Sequence, residues 1–286
     1  MSNRIRSAYE VHRDNAESVH GEMCISGVNF DICPDCAESR AALAILKYTV
    51  AAPSSPTADL FIRPRKCLGT VAYIGVGTTP EPFTWSMIQL VQFCNEFVCT
   101  EPGEFIHWDR FNKSGQIIAR NALTQRMQGD WILFIDSDHA PAPDLVYRML
   151  SVFTQRSMDV LGGFYQFKEY PHQPMAWMWM EDKNGYAQVA NWDRKMKLIK
   201  VGVVGGGCLL ISRRAIEALV IRFGQPPFSP IGIYATDDFD LCERCRQAGI
   251  DVWWSTDIEC PHLSTRPITQ ADYDQGRVMG DQGAAA

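Results

Sequence analysis

Short apolar runs alternate along the chain with longer amphipathic stretches, and this alternation gives the first reading of the fold. VAYIGVG (71–77), FIHWDRF (105–111), WILFID (131–136), DVLGGFYQF, VGVVGGGCLLIS and DVWWSTD are short, β-rich and bounded by turn residues. That pattern predicts buried strands. Between them, TTPEPFTWSMIQLVQFCNEF sets Phe83, Met87, Leu90, Val91 and Cys94 at helical spacing behind Pro82, a residue suited to a first helical turn. GQIIARNALTQRMQ, PDLVYRMLSVFTQR, RRAIEALVIRF and DFDLCERCRQAG carry the same helical period. Strands that alternate with helices predict an α/β domain: a mixed, mostly parallel sheet with helices on both faces. No internal repeat interrupts it.

Residues 1–68 follow a different pattern. A polar start leads into MCISGVNFDICPDCAE, a short helical stretch, and the Pro/Ser/Ala-rich AAPSSPTADLF. The expected organisation is therefore a small Cys-containing N-terminal appendage over 1–68 and a main domain over 69–286. In the appendage, Cys33-Pro34-Asp35-Cys36 is a C-x-x-C pair with His20 and Cys24 upstream, a set of four with the ligand types of a structural Zn²⁺ site. A redox pair and plain buried thiols are the alternatives.

Composition narrows the class. The chain has 286 residues, 46% hydrophobic and 21% charged, which excludes a mostly disordered chain. No apolar run reaches the roughly 18 residues of a membrane span, and MSNRIRSAYEVHRD lacks an apolar signal core. A cytoplasmic protein with no membrane partner and reduced thiols among its ten cysteines is expected. The net charge of −6 argues against a general, charge-driven affinity for nucleic acid. One local basic stretch remains, Arg194, Lys195, Lys197 and Lys200 beside Trp192. It reads either as a nucleic-acid contact or as a solvated strand edge.

The candidate chemistry gathers at strand ends. Asp136-Ser137-Asp138 directly follows WILFI, and ligands of open α/β sheets bind at the carboxyl ends of strands. Two carboxylates at i and i+2 there suit Mg²⁺ or Mn²⁺, which can neutralise a diphosphate; a solvated turn is the bland alternative. A phosphatase D-x-D would continue with any residue and then Thr or Val, whereas here His139-Ala140-Pro141 follows. Gly75-Val76-Gly77-Thr78-Thr79-Pro80 lacks the third glycine of a dinucleotide fingerprint and predicts nucleotide contact without NAD. Arg120 lies on the helix before the D-x-D strand and suits a phosphate or a carboxylate. Asp237, Asp238 and Asp240 crowd a helix start, more acids than capping needs, and one of them can serve as a general base. His262 follows the last strand, as a structural residue or as a further metal ligand. Trp177 and Trp179 are candidates for stacking against an acceptor.

In this order, ARNAL (119–123), GDWILFIDSDHAPAPDL (129–145), VGGGCLLISRRAIEAL (204–219), TDDFDLCERCRQAG (236–249) and a late His resemble a glycosyltransferase of the GT-A fold. The resemblance extends over about residues 70–265. It is nearest to the compact glycosyltransferases of tailed bacteriophages, including the TET-associated type that decorates hydroxymethylated cytosine in phage DNA. The resemblance implies a Rossmann-like GT-A domain and a Mn²⁺- or Mg²⁺-dependent transfer from a nucleotide-sugar, a UDP-sugar above all. Thr78, Arg120, Asp136 and Asp138 would lie near the nucleotide, with Asp136, Asp138 and His262 on the metal. Asp238 would be the catalytic base of an inverting enzyme. Asp237, where many relatives carry Glu, would stand on the acceptor side with Trp177, Trp179, Arg194 and Lys195. DNA carrying hydroxymethylated bases is the implied acceptor. A protein or cell-envelope polysaccharide acceptor, or a non-catalytic binding protein, is the alternative.

Overall fold

The computed structural model describes residues 65–75, 79–112, 115–193, 195–230, 236–264, 267–271, 273 and 274. The expected appendage lies outside them up to residue 64, and with it His20, Cys24, Cys33 and Cys36; Thr78 and Arg194 lie outside them as well.

In chain order the elements are β1 (Lys66–Gly75), α1 (Glu81–Phe93) with a π-helical turn over Cys94–Val98, β2 (Glu104–Asn112), α2 (Gln116–Arg126), β3 (Trp131–Asp136), α3 (Leu145–Gln155) and β4 (Val160–Phe164). They continue with β5 (Ala176–Met180), β6 (Gly185–Gln188), β7 (Leu198–Val201), β8 (Val203–Val204), β9 (Cys208–Ser212), α4 (Arg213–Phe223), α5 (Asp237–Ala248), β10 (Val252–Glu259), β11 (His262–Leu263) and β12 (Pro267–Ile268). The main sheet has seven strands in the order β2-β1-β3-β9-β4-β10-β7.

The expectation of an α/β domain with a mixed, mostly parallel sheet holds. β2, β1, β3, β4 and β10 run one way, but β9 is antiparallel to both β3 and β4, and β7 is antiparallel to β10 at the edge. The reason lies in the glycine run. The run expected to form one strand, VGVVGGGCLLIS, breaks at Gly205–Gly207, leaving β8 in a separate three-stranded sheet of order β6-β5-β8. The chain therefore enters β9 at the carboxyl end of β3, where Asp136 N–H donates to the Gly207 carbonyl (3.0 Å). From there it can only run back against its neighbours.

Alternation along β3 builds both halves of the core. Ile132 and Phe134 join Ala119 and Leu123 of α2, Leu219 of α4 and Leu241 of α5 on one face. Leu133 and Ile135 join Phe83 and Leu90 of α1 and Leu145, Met149 and Phe153 of α3 on the other. Successive strand side chains point to opposite faces, so a run with no polar residue requires helices on both. α4 is capped at its start by Ser212 Oγ, which accepts from Ala215 N–H (3.0 Å), and stops at Gly224, which takes the left-handed conformation. Among the described residues, no helix is long and apolar enough to cross a membrane.

Candidate active site

β3 delivers Asp136 and then turns through Ser137 and Asp138, with His139 N–H donating to the Asp136 carbonyl (3.1 Å). β10 delivers the other half of the site. Beyond it, Ala140 N–H donates to the Pro261 carbonyl (2.8 Å) and Leu263 N–H to the Asp138 carbonyl (2.6 Å). These two bonds lay His262 beside His139, ring centroids 4.1 Å apart. His139 Nδ1 lies 3.1 Å from Asp138 Oδ1, and His262 Nε2 lies 4.0 Å from the same oxygen. Among the described residues, Asp138, His139 and His262 form a group whose ligand atoms all fall within 4.8 Å of one another.

The donor chemistry of this group fits a divalent cation. His262 Nδ1–H donates to the Gln166 carbonyl, which leaves the Nε2 lone pair facing Asp138. Burial, then the neighbouring His139, pushes the His262 pKa down to about 4, so the ring is neutral at pH 7 and able to ligate. Burial works to raise the Asp138 pKa. The hydrogen bonds from His139 and Lys168 outweigh it and hold the carboxylate ionised, well below the usual range. His139 is fully buried, and its Nε2 has no hydrogen-bond partner. One carboxylate with two imidazoles suits Mn²⁺ and other first-row ions.

Asp136 stands outside this group. Arg120 Nη2 lies 3.1 and 3.4 Å from its two carboxylate oxygens, while Arg120 Nε donates to Asp237. Arg120 is only 2% exposed and lies over the rings of Phe134 and Phe228, 5.2 and 5.9 Å from their centroids. Desolvation works to lower its pKa, but Asp136 and Asp237 more than compensate and keep the guanidinium charged. A residue expected beside the nucleotide is thus a buried bridge between the end of β3 and the start of α5. Asp237, expected on the acceptor side, is buried and turned inward to Arg120.

Asp238 follows at the start of α5. Its Oδ1 accepts from Phe239 N–H (2.9 Å), and Gly206 N–H donates to its Oδ2 (3.4 Å). Burial, with Asp237 adding to it, raises its pKa despite the hydrogen bond to Thr236 and the charge of Arg120. A raised carboxyl pKa makes a stronger base. The glycine run fits between these groups by having no side chains: a Cβ on Gly206 would lie 2.6 Å from Arg120 Nη2, and one on Gly207 2.5 Å from His139 Cε1. Tyr165 closes the floor. Its Oη accepts from Gly207 N–H (2.9 Å), and its ring meets His139 and His262 edge-on at 4.8 and 5.0 Å.

The three-stranded sheet sets an aromatic wall beside Asp238. Trp177 of β5 packs on Phe239 (4.8 Å between ring centroids) and on Phe167 (6.1 Å), and Tyr186 of β6 also meets Phe239 (5.6 Å). Trp179 lies farther along β5, against Tyr186 (5.0 Å) and under the guanidinium of Arg246 (4.2 Å). Two residues of the basic stretch have acidic partners at the surface. Lys197 pairs with Asp257 (3.3 Å) and Lys200, on the edge strand β7, with Asp251 (2.6 Å), while Lys195 is exposed.

Sequence reasoning missed His139, Tyr165 and Lys168. His139 directly follows the D-S-D tripeptide and was open to discovery, but it served only to set aside the phosphatase pattern. Tyr165 and Lys168 carry no motif, because the loop after β4 brings them in.

Residues 89–220 match the family model Glycosyl transferase family 2, a stretch that includes Arg120, Asp136, Asp138 and the glycine run but ends before Asp238 and His262. With the mixed sheet and its helices, this gives the chain the GT-A fold. Among solved structures, the chain is similar to A197 from STIV, with a TM-score of 0.44 and 14% identity over 70% of this chain and 86% of that one. It is also similar to GalNAc-T7 with UDP, GalNAc and Mn²⁺, with a TM-score of 0.45 and 13% identity over 70% of this chain and 43% of that one. No curated protein matches the chain.

Proposed function

We propose that the protein is a metal-dependent glycosyltransferase that moves a sugar from a nucleotide-sugar, a UDP-sugar in the first instance, to a hydroxyl acceptor. One observation carries this reading. Arg120 ties the D-x-D end of β3 to the acid-rich start of α5, so the donor-side and base-side carboxylates are held at one end of the sheet. The match of residues 89–220 to the glycosyl transferase family 2 model supports it.

In this reading Asp138, His262 and His139 hold Mn²⁺ or Mg²⁺, which supplies charge neutralisation for the departing diphosphate. Thr78, Arg120 and Asp136 belong to the nucleotide side, Arg120 by holding Asp136 in place. Asp238 takes the proton of the acceptor hydroxyl as its oxygen bonds to the anomeric carbon. The bond from that carbon to the diphosphate oxygen breaks, and its electron pair leaves with the diphosphate. Attack opposite the leaving group inverts the anomeric centre. The wall of Trp177 and Phe239 offers a ring face on which an acceptor stacks.

The acceptor proposed is a hydroxymethylated pyrimidine in phage DNA. The ion pairs of Lys197 and Lys200 favour a second reading, a protein or cell-envelope polysaccharide, because they remove charge that a DNA strand would use. Incubation with a panel of UDP-sugars and Mn²⁺, on plain and hydroxymethylated DNA, distinguishes the two by nucleoside mass spectrometry. A gain of one hexose on the hydroxymethylated nucleoside supports the first acceptor. UDP release with unmodified nucleosides supports the second, and no UDP release from any donor rejects the enzyme.

A further inference from the structure

The ammonium of Lys168 lies 2.6 Å from Asp138 Oδ2. This is a side chain that no sequence motif singled out, placed on the carboxylate that the metal group is built around. Asp138 Oδ1 faces both imidazoles, His139 Nδ1 at 3.1 Å and His262 Nε2 at 4.0 Å, so an ion held by the three meets a carboxylate whose other oxygen already carries the ammonium. A divalent ion and an ammonium cannot share this carboxylate at full charge without repelling one another across a few ångströms.

Lys168 is also placed to move. Its side chain is 36% exposed and that of Asp138 43%, so neither is locked by packing. The loop that carries it is closed on itself. Phe167 N–H donates to the Gln173 carbonyl (2.9 Å), Met175 N–H to the Tyr165 carbonyl (3.0 Å), and His172 Nδ1 lies 3.1 Å from the Phe167 carbonyl. The backbone root of Lys168 is thus fixed close to the site, and four rotatable side-chain bonds set the reach of its ammonium.

We propose that Lys168 is a resident counter-cation of Asp138 that competes with the divalent ion and, once displaced, binds the diphosphate of the nucleotide. This rests on the reading of Asp138, His139 and His262 as the metal site. The consequence is linkage. Displacing the ammonium opposes cation binding in the absence of nucleotide. A diphosphate beside the cation gives the displaced ammonium a new anionic partner. Cation and nucleotide therefore each strengthen the binding of the other, and by the same factor. Lys168 makes the site hold metal with donor rather than metal alone.

The test is a Mn²⁺ titration of the full chain, read by the electron paramagnetic resonance signal of free Mn²⁺, with and without UDP. The proteins are wild type, Lys168→Met, Lys168→Arg and Asp138→Asn. Lys168→Met is expected to bind Mn²⁺ alone about fivefold more tightly, the scale of one partly exposed ion pair. Its gain in Mn²⁺ affinity on adding UDP should be smaller than in wild type, while Lys168→Arg keeps both wild-type values. Lys168→Met binding Mn²⁺ no more tightly than wild type, or showing an undiminished effect of UDP, overturns the inference while leaving the metal site intact. Wild type binding Mn²⁺ no better than Asp138→Asn, with UDP present, overturns the site reading and the inference with it.

Discussion

Arg120 and Asp237 stand 117 positions apart in the chain and meet in an ion pair in which both side chains are almost wholly buried. The same guanidinium reaches Asp136 at 3.1 Å. One buried cation between two carboxylates fixes the spacing between the end of β3 and the start of α5, and with it the relation of Asp138 to Asp238.

Removing that cation leaves the buried carboxylate of Asp237 and the part-buried one of Asp136 without a counter-charge. Breaking a buried pair from one side is strongly destabilising, about 3–5 kcal/mol. Arg120→Ala is therefore expected to lower stability to urea by about 3 kcal/mol or more. Arg120→Ala with Asp237→Asn should lose less than the sum of the single changes, because each change removes a partner of the other. Denaturant midpoints of the four proteins check this; additive losses would show that the pair is not coupled.

The glycine run makes a steric prediction. Gly206→Ala places a methyl 2.6 Å from Arg120 Nη2, within a packed and charged interior. Overpacking of this kind typically costs about 1–3 kcal/mol. Gly185→Ala is the matched control, since its Cβ would meet nothing closer than the Lys183 carbonyl oxygen at 3.7 Å. Thermal melts should show a loss for Gly206→Ala and little change for Gly185→Ala.

Glu243 supplies a pH dependence away from the proposed chemistry. Burial works to raise its pKa, but Arg246, Tyr186 and Gln247 donate to it and bring it down to about 2. A carboxyl whose folded pKa lies below its unfolded value stabilises the fold fully above the unfolded value. That contribution disappears as pH falls from about 4.5 toward 2. Glu243→Gln should flatten the fall of the urea midpoint over this window. An unchanged acid profile would show that other carboxylates dominate it.

The elements that build the core were legible in the sequence because their signal is local. WILFID reads as a buried strand from its composition alone, and RRAIEALVIRF reads as the helix α4 from its period. The mixed, mostly parallel character of the sheet was legible, but which strand runs against its neighbours was not. The antiparallel placement of β9 depends on where Gly205–Gly207 leave the chain, which follows from their close approach to Arg120, His139 and Tyr165 across the fold. The small sheet β6-β5-β8 escaped for a similar reason: its strands are two to five residues long, too short for a period to register. In the site, Asp136, Asp138, Asp238 and His262 stood out as acids and a histidine at strand or helix ends. The inward turn of Arg120 and Asp237 could not be read, because a buried ion pair between distant positions has no local pattern. His20, Cys24, Cys33, Cys36, Thr78 and Arg194 fall outside the described residues.

The proposed function requires that the cation group at Asp138 and the carboxylate of Asp238 act on one transferred sugar. UDP release from a UDP-sugar in the presence of Mn²⁺, compared across wild type, Asp138→Asn and Asp238→Asn with Mn²⁺ binding followed in parallel, tests it most directly. Asp138→Asn is expected to lose both Mn²⁺ binding and turnover. Asp238→Asn should keep Mn²⁺ binding and lose acceptor-dependent turnover by about a hundredfold or more, the scale of a general base. Asp238→Asn turning over at the wild-type rate would contradict it.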